Sequence, residues 1–415
     1  MAKTLFLHLG LHKTATTSFQ ATCAKNRGEL LRQGFHYPLI SCGEGTIAPF
    51  DNHSIPLFSL FSQDPKHYPV NVRLGLDNLN AIHQLYRDQL QVALSSNHDL
   101  ILSAEDISSL EFNEIHQLLD YLQRSGREIR PIASVRHPYA YHCSQLQQQI
   151  KDGTPMVPWH HCPQRDRVKK LDAVFKGDLQ YINFEASCNH PQGPVANLLN
   201  NLGVNIEAID ISGRNIGRCN DNIRLQNALN YRQPLLVNQQ RNPQHIKIAP
   251  FPGHKFRLTS KELSEHSPHW DEPSREATLI EHLEHERNML ETITGLSWNT
   301  EQTETREDPL DDIYPIASSA LVITIALVLQ SQHHTGIRSL PIDKIHASLT
   351  QHGSNCLKKL QSITNSHLES LIEPRERNQT SAPEDELIEC GLPDEAIKTL
   401  LSVAKTWIRR QRAAA

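Results

Sequence analysis

The stretch His8-Leu9-Gly10-Leu11-His12-Lys13-Thr14-Ala15-Thr16-Thr17-Ser18 gathers the groups that hold an oxyanion. Lys13 supplies a point charge, and Thr14, Thr16, Thr17 and Ser18 supply hydroxyl donors. Gly10 allows a tight turn, and His12 stands beside the lysine. A turn running into a helix N-terminus also offers free backbone amides and the positive end of the helix dipole. An ordinary capped turn needs only one hydroxyl and leaves Lys13 with three threonines unexplained. A second cluster is Ala133-Ser134-Val135-Arg136-His137-Pro138, with Ser144 further along. Arg suits a phosphate because its planar fork donates two hydrogen bonds at once. Two further titratable side chains stand in polar surroundings: His53, in Asp51-Asn52-His53-Ser54, and Glu105, in Leu102-Ser103-Ala104-Glu105-Asp106.

The hydrophobic pattern places these groups. Lys3–Leu9 reads as a strand and Ser18–Gln33 as a helix closed by Gly34. Residues 40–72 carry several Gly and Pro and read as a long irregular loop. Asn78–Ser95 is helical in pattern, and Asp99–Ser103 is a buried strand. Asn113–Ser125 follows as a helix, then Ile129–Val135 as a strand. Pro138–Lys151 is a helix opened by proline at its favoured position. Leu179–Asn183 is a further strand, with a helix over Pro194–Leu202. Strands alternating with helices predict a parallel α/β sheet. Ligands of such sheets sit beyond the carboxyl ends of the strands, where Lys13, Glu105 and Arg136 all fall.

The first cluster is not the nucleotide loop G-x-x-x-x-G-K-[ST], because no Gly directly precedes Lys13. It resembles the 5′-phosphosulfate loop of sulfotransferases that use 3′-phosphoadenosine-5′-phosphosulfate (PAPS), with Ala15 where that family usually has Gly. Arg136 and Ser144 resemble the family's pair for the donor 3′-phosphate. Tyr181-Ile182-Asn183-Phe184-Glu185 and the helix after it look like its later strand–helix unit. Arg218, in Gly217-Arg218-Cys219-Asn220, is placed like the family's basic loop but lacks its Lys-Gly part. The resemblance covers roughly residues 1–295 in order of elements, and its specific part is the first two motifs.

The resemblance implies an α/β, P-loop-like three-layer fold with a central parallel sheet. The donor would bind Gly10, His12, Lys13, Thr14, Ala15, Thr16, Thr17, Ser18, Arg136, Ser144 and Arg218. Lys13 would stabilise charge on the leaving phosphate during in-line transfer to a hydroxyl or amine of a saccharide or small metabolite. The product would be 3′,5′-ADP, with no metal. His53 is the preferred base, near-neutral in its ordinary titration, and Glu105 would orient it or contact the acceptor. Two other readings stay open: a P-loop-type kinase or NTPase, and a non-catalytic nucleotide-binding scaffold.

Composition narrows the classes. The chain has 415 residues and a formal net charge of −5, which gives no support for a nucleic-acid partner. The eight cysteines form no C-x-x-C pair, and no tight metal-ligand spacing occurs among the histidines. With no export signal in the first residues, a cytoplasmic setting with reduced thiols is expected. The apolar run Ile316–Leu329 falls short of the ~20 residues a spanning helix needs. It reads instead as a buried helix or subunit contact. Residues 1–299 are expected to form the catalytic domain, 300–315 a linker, and 316–415 a helical extension, partly disordered near 373–386. That extension is the expected surface for a homo-oligomer.

Overall fold

The structure is a computed structural model. It describes residues 3–42, 50–75, 79–156, 163–213, 217–232, 234–237, 239–242, 245, 247, 254–268, 276–299 and 303–306. The expected linker and helical extension lie outside the described residues, apart from 303–306. By compactness the chain forms two units. One comprises Met1–His142, His161–Ile216 and Ser267–Thr303, and the other Cys143–His160, Gly217–His266 and Glu304–Ala415.

The elements alternate as the pattern predicts. β1 (Thr4–His8) leads to α1 (Thr16–Lys25), α2 (Arg27–Arg32) and β2 (Phe35–His36). Then come α3 (Ser54–Phe61), α4 (Pro69–Leu74), α5 (Leu79–Leu94) and β3 (Asp99–Ser103). α6 (Phe112–Gln123) precedes β4 (Glu128–Val135), and α7 (Pro138–Lys151) and α8 (Gln164–Phe175) precede β5 (Gln180–Asn183). α9 (Phe184–Cys188), α10 (Gly193–Asn201) and α11 (Asn220–Arg232) follow, then a hairpin of β6 (Leu236–Val237) and β7 (Gln240–Arg241). The last described elements are α12 (Ser260–Ser264), β8 (His266–Pro268), β9 (Glu276–Thr278) and α13 (Leu279–Thr294).

In the first unit five strands form one sheet in the order β2-β3-β1-β4-β5, every pair parallel. β1 is central, with Leu7 in register with Leu102 on one side and Pro131 on the other. Its connection leaves toward β2, whereas β3 crosses to β4 on the far side. The order therefore reverses at β1, and a crevice opens at the carboxyl ends there.

Alternation along each strand builds two cores. Leu5, Leu7, Leu100, Leu102, Ala133 and Val135 face one side, against Leu90 of α5, Leu118 of α6, Leu171 of α8 and Leu290 of α13. Phe6, Ile101, Ile132 and Ile182 face the other, against Phe19 of α1, Leu30 of α2 and Leu199 of α10. The result is the expected three-layer α/β architecture. Each fully buried Leu, Ile or Phe stabilises it by about 1.5–3 kcal/mol.

Three local differences from the sequence reading have physical causes. The helix expected over Ser18–Gln33 is two, broken at Asn26, whose side-chain amide donates to the Thr22 carbonyl at 2.7 Å. Residues 40–72 are not irregular throughout, because α3 and α4 lie within them. Pro69 opens α4, and Pro56 lies in the first turn of α3, positions that leave no helical bond broken. β2 has two residues, too few to show a period.

The second unit takes α7 from Cys143 onward. Arg224 of α11 forks onto the Glu262 carboxylate, with Nη2 2.8 Å from Oε2. Asn230 donates to the Ile150 carbonyl at 2.7 Å, fixing α11 on α7.

Candidate active site

The loop between β1 and α1 takes an unusual backbone path. Gly10, Lys13 and Ala15 all have positive φ, of 33°, 69° and 61°. Left-handed residues interspersed in a loop fold backbone amides into an anion-binding concavity. At Gly10 the space is occupied, since a Cβ would lie 2.7 Å from Thr16 Oγ1 and 3.3 Å from His8 Cε1. Ala15 is the residue before α1 and makes no side-chain cap. Its left-handed backbone is strained, since Ala in that region costs about 1–2 kcal/mol. The Thr14 hydroxyl closes the loop on the Leu11 carbonyl at 2.5 Å. Thr14, Thr16 and Ser18 are buried and Thr17 is exposed. The first turn of α1 carries no acidic residue to compete with an anion.

Arg136 follows β4 on the neighbouring strand. Gln164 of α8 grips its backbone in both directions, accepting from its N–H at 3.0 Å and donating to its carbonyl at 2.8 Å. Its Nη1 donates to the Lys13 carbonyl at 2.7 Å, and its Nε lies 3.6 Å from Glu185 Oε1. The guanidinium lies over the Phe184 ring, 5.1 Å from the centroid. Glu185 is itself fixed: Oε2 accepts from the His137 N–H at 2.9 Å and the Trp298 indole at 3.1 Å. A cleft beside the loop is lined by Thr14, Ala15, Ser134, Phe184, Ser187 and Leu198, among others.

Beyond β3, Glu105 and Asp106 open a single 3₁₀ turn, Glu105–Ser109. The His12 ring stands against both, with Nδ1 3.6 Å from Glu105 Oε2 and Nε2 3.4 Å from Asp106 Oδ1. Burial, then the Asp106 charge, raises the Glu105 carboxyl to about 7, opposed by the Thr16 hydroxyl and the Lys13 and Arg167 cations. Burial and Arg167 lower His12 to about 4, with Asp106 opposing and Lys13 assisting. His12 is therefore neutral at pH 7, and Glu105 is poised between its two states.

His53 is placed differently from the expectation. It is fully buried, its ring tilted against that of Tyr37 with the centroids 4.5 Å apart. Its Nδ1 accepts from the Ser103 N–H at 3.0 Å, and Nε2 donates to the Pro38 carbonyl at 2.9 Å. Burial lowers its pKa to about 4. An imidazole with both nitrogens committed inside the core has no lone pair for an acceptor's proton, so the geometry corrects the preference for His53 as base. It belongs to a polar layer beneath the site. In that layer Ser103 Oγ lies 2.9 Å from His8 Nδ1, and Gln20 donates to the Ser103 carbonyl at 3.2 Å and to Asn52 Oδ1 at 3.0 Å.

The structure thus gathers Gly10, His12, Lys13, Thr14, Ala15, Thr16, Glu105 and Arg136 in the first unit. Ser144 is half-buried on α7 and belongs to the second unit, as does Arg218. There the Gln147 side chain of α7 clasps the backbone of Arg218, donating to its carbonyl at 3.0 Å and accepting from its N–H at 3.2 Å. Sequence reasoning missed Asp106, Arg167, Gln164 and Glu185. Asp106 was adjacent to a named candidate; Gln164 and Arg167 ride on α8, a helix the pattern reading passed over.

Among the described residues no cluster of three His, Cys, Asp or Glu is arranged to hold a metal ion, and no helix is long and apolar enough to cross a membrane. No family model and no curated protein matches the chain. Among solved structures, it is similar to a sulfotransferase from Alicyclobacillus acidocaldarius. The match has 14% identity and a TM-score of 0.31, over 52% of this chain and 87% of that one. At that score the likeness adds no argument to those from the site itself.

Proposed function

We propose that the chain is a sulfotransferase that moves a sulfuryl group from PAPS to a hydroxyl of a saccharide or small metabolite. The observation that carries this reading is the bond from Arg136 to the Lys13 carbonyl. It brings the Arg136 guanidinium beside the loop after β1 at the sheet's switch point, which supports a reading in which the two together bind phosphates. A donor phosphorylated on both the 5′ and 3′ sides of its ribose needs two such groups, and a simple nucleotide needs one. What supports an anion there is the left-handed backbone at Gly10, Lys13 and Ala15, which turns loop amides to one side.

The residues divide the work. The loop amides and Lys13 hold the 5′-phosphosulfate, and Lys13 neutralises charge growing on the bridging oxygen as the S–O bond breaks. Arg136 takes the 3′-phosphate. Glu105, ionised in part at neutral pH, takes the acceptor's proton as its oxygen bonds to sulfur. The donor supplies the sulfuryl group and leaves as 3′,5′-ADP.

A kinase or NTPase reading is weaker on this geometry. The residue two before Thr17 is an alanine held at positive φ, and the glycine that should precede Lys13 is His12. The experiment is a screen of saccharide and small-alcohol acceptors with radiolabelled PAPS, run on the full chain and on Lys13→Ala. Label should appear in an acceptor with the native chain and vanish in the folded variant. Transfer that survives Lys13→Ala refutes the assigned role.

A further inference from the structure

Asp106 has no role in the scheme above, yet its two carboxylate oxygens are both used. Oδ2 accepts from the Tyr68 hydroxyl at 2.5 Å, and Oδ1 lies 3.4 Å from His12 Nε2. Its backbone N–H donates to Ser54 Oγ at 3.1 Å. Tyr68 belongs to the chain between α3 and α4, stacked 4.4 Å from Phe58, and His12 belongs to the anion loop. Asp106 therefore joins two walls of the site and adjoins Glu105.

We propose that Asp106 is a positioning residue, holding Tyr68 and His12 on its two oxygens so that the anion loop and the opposite wall keep a fixed register with Glu105. The proposal rests on the reading of Glu105 as the base. Two adjacent carboxylates in a half-buried site resist joint ionisation. Burial, then the Asp106 charge beside it, makes Glu105 keep its proton to higher pH. The groups facing Glu105 are His12 and Lys13 from the loop, Thr16 from α1, Arg167 from α8, and Asp106 with Tyr68 behind it. Arg167 lies on the face of α8 that also carries Lys170, whose ammonium binds the Leu110 carbonyl just past this turn.

The test is a pH titration of isotope-labelled glutamate by NMR on the full chain, with the Glu105 signal assigned through Glu105→Gln. The native midpoint should lie near 7. Asp106→Asn keeps the shape and removes the charge, so the midpoint should fall by about one unit. Tyr68→Phe keeps the charge and removes its hydrogen bond, so the midpoint should stay or rise. A merely structural role would move both variants down together, toward the value of an exposed glutamate. That result, or an unmoved midpoint in Asp106→Asn, overturns the proposal. In turnover, Asp106→Asn should lower kcat while leaving the KM for PAPS unchanged. If the native chain moves no sulfuryl group, the proposed function fails, and the titration still judges Asp106.

Discussion

Arg136 Nη1 donates to the Lys13 carbonyl across 2.7 Å, although the two residues stand 123 apart in the chain. The bond ties the end of β4 to the loop after β1, so the Arg136 guanidinium and the Lys13 backbone keep a fixed distance. Gln164, which clamps the Arg136 backbone, makes this a rigid strut.

Arg136→Lys keeps the charge and loses the planar fork. Charge-assisted bonds of this kind contribute about 1.5–3 kcal/mol each. The variant should bind 3′,5′-ADP at least about tenfold more weakly, with binding of inorganic sulfate less affected. Calorimetry on both ligands checks this, and equal affinity in the two proteins would separate Arg136 from the donor.

Ala15→Gly should stabilise the fold. It relieves about 1–2 kcal/mol of left-handed strain and gives back roughly 0.4–1 kcal/mol through a freer unfolded chain. Urea denaturation should show a net gain of about 0.5–1 kcal/mol with an unchanged m-value. A loss would mean that Ala15 is not strained where the backbone places it.

His53→Ala should behave as a core mutation. It strands the Ser103 N–H and the Pro38 carbonyl, each costing about 1–3 kcal/mol when unsatisfied. Denaturation at pH 7 should show a deficit on the order of 3 kcal/mol, while the folded fraction still binds 3′,5′-ADP. His53 titrates near 4 when folded against 6.5 when free. Its stabilising effect is therefore present above pH 6.5 and lost as pH falls toward 4. The deficit should shrink over that window, and one that grows on acidification contradicts the neutral, buried imidazole.

Glu105→Gln should abolish turnover and raise stability. The folded carboxyl holds its proton to about 7, against 4.5 when free. Folding then binds a proton that the unfolded chain has released, so native stability falls as pH rises from 4.5 through 7. The variant lacks that loss. It should match the native chain near pH 4 and exceed it at pH 8, and denaturation curves at the two pH values decide.

Much of the sheet was legible because β1, β3, β4 and β5 are apolar runs bounded by turns, and their carboxyl ends carry the charged residues. Lys13, Glu105 and Arg136 were visible for that reason. β2 left no trace, since two residues make no period. α3 and α4 were hidden by Pro56 and Pro69, which read as breakers although a first helical turn tolerates them. His53 was misjudged because its neighbours in sequence are polar, whereas its surroundings are Tyr37, Pro38 and Ser103, brought by other segments. Arg167 and Asp106 matter only through proximity in space, which residue spacing does not report.

The central claim is that the Gly10–Thr17 loop and Arg136 together recognise a donor carrying 3′- and 5′-phosphates. Calorimetric titration of the full chain with 3′,5′-ADP, without metal and against 5′-AMP and ATP–Mg²⁺, tests it most directly. The account predicts saturable binding of 3′,5′-ADP, weaker binding of 5′-AMP, and no preference for ATP–Mg²⁺. Absence of 3′,5′-ADP binding, or tighter binding of ATP–Mg²⁺, contradicts it.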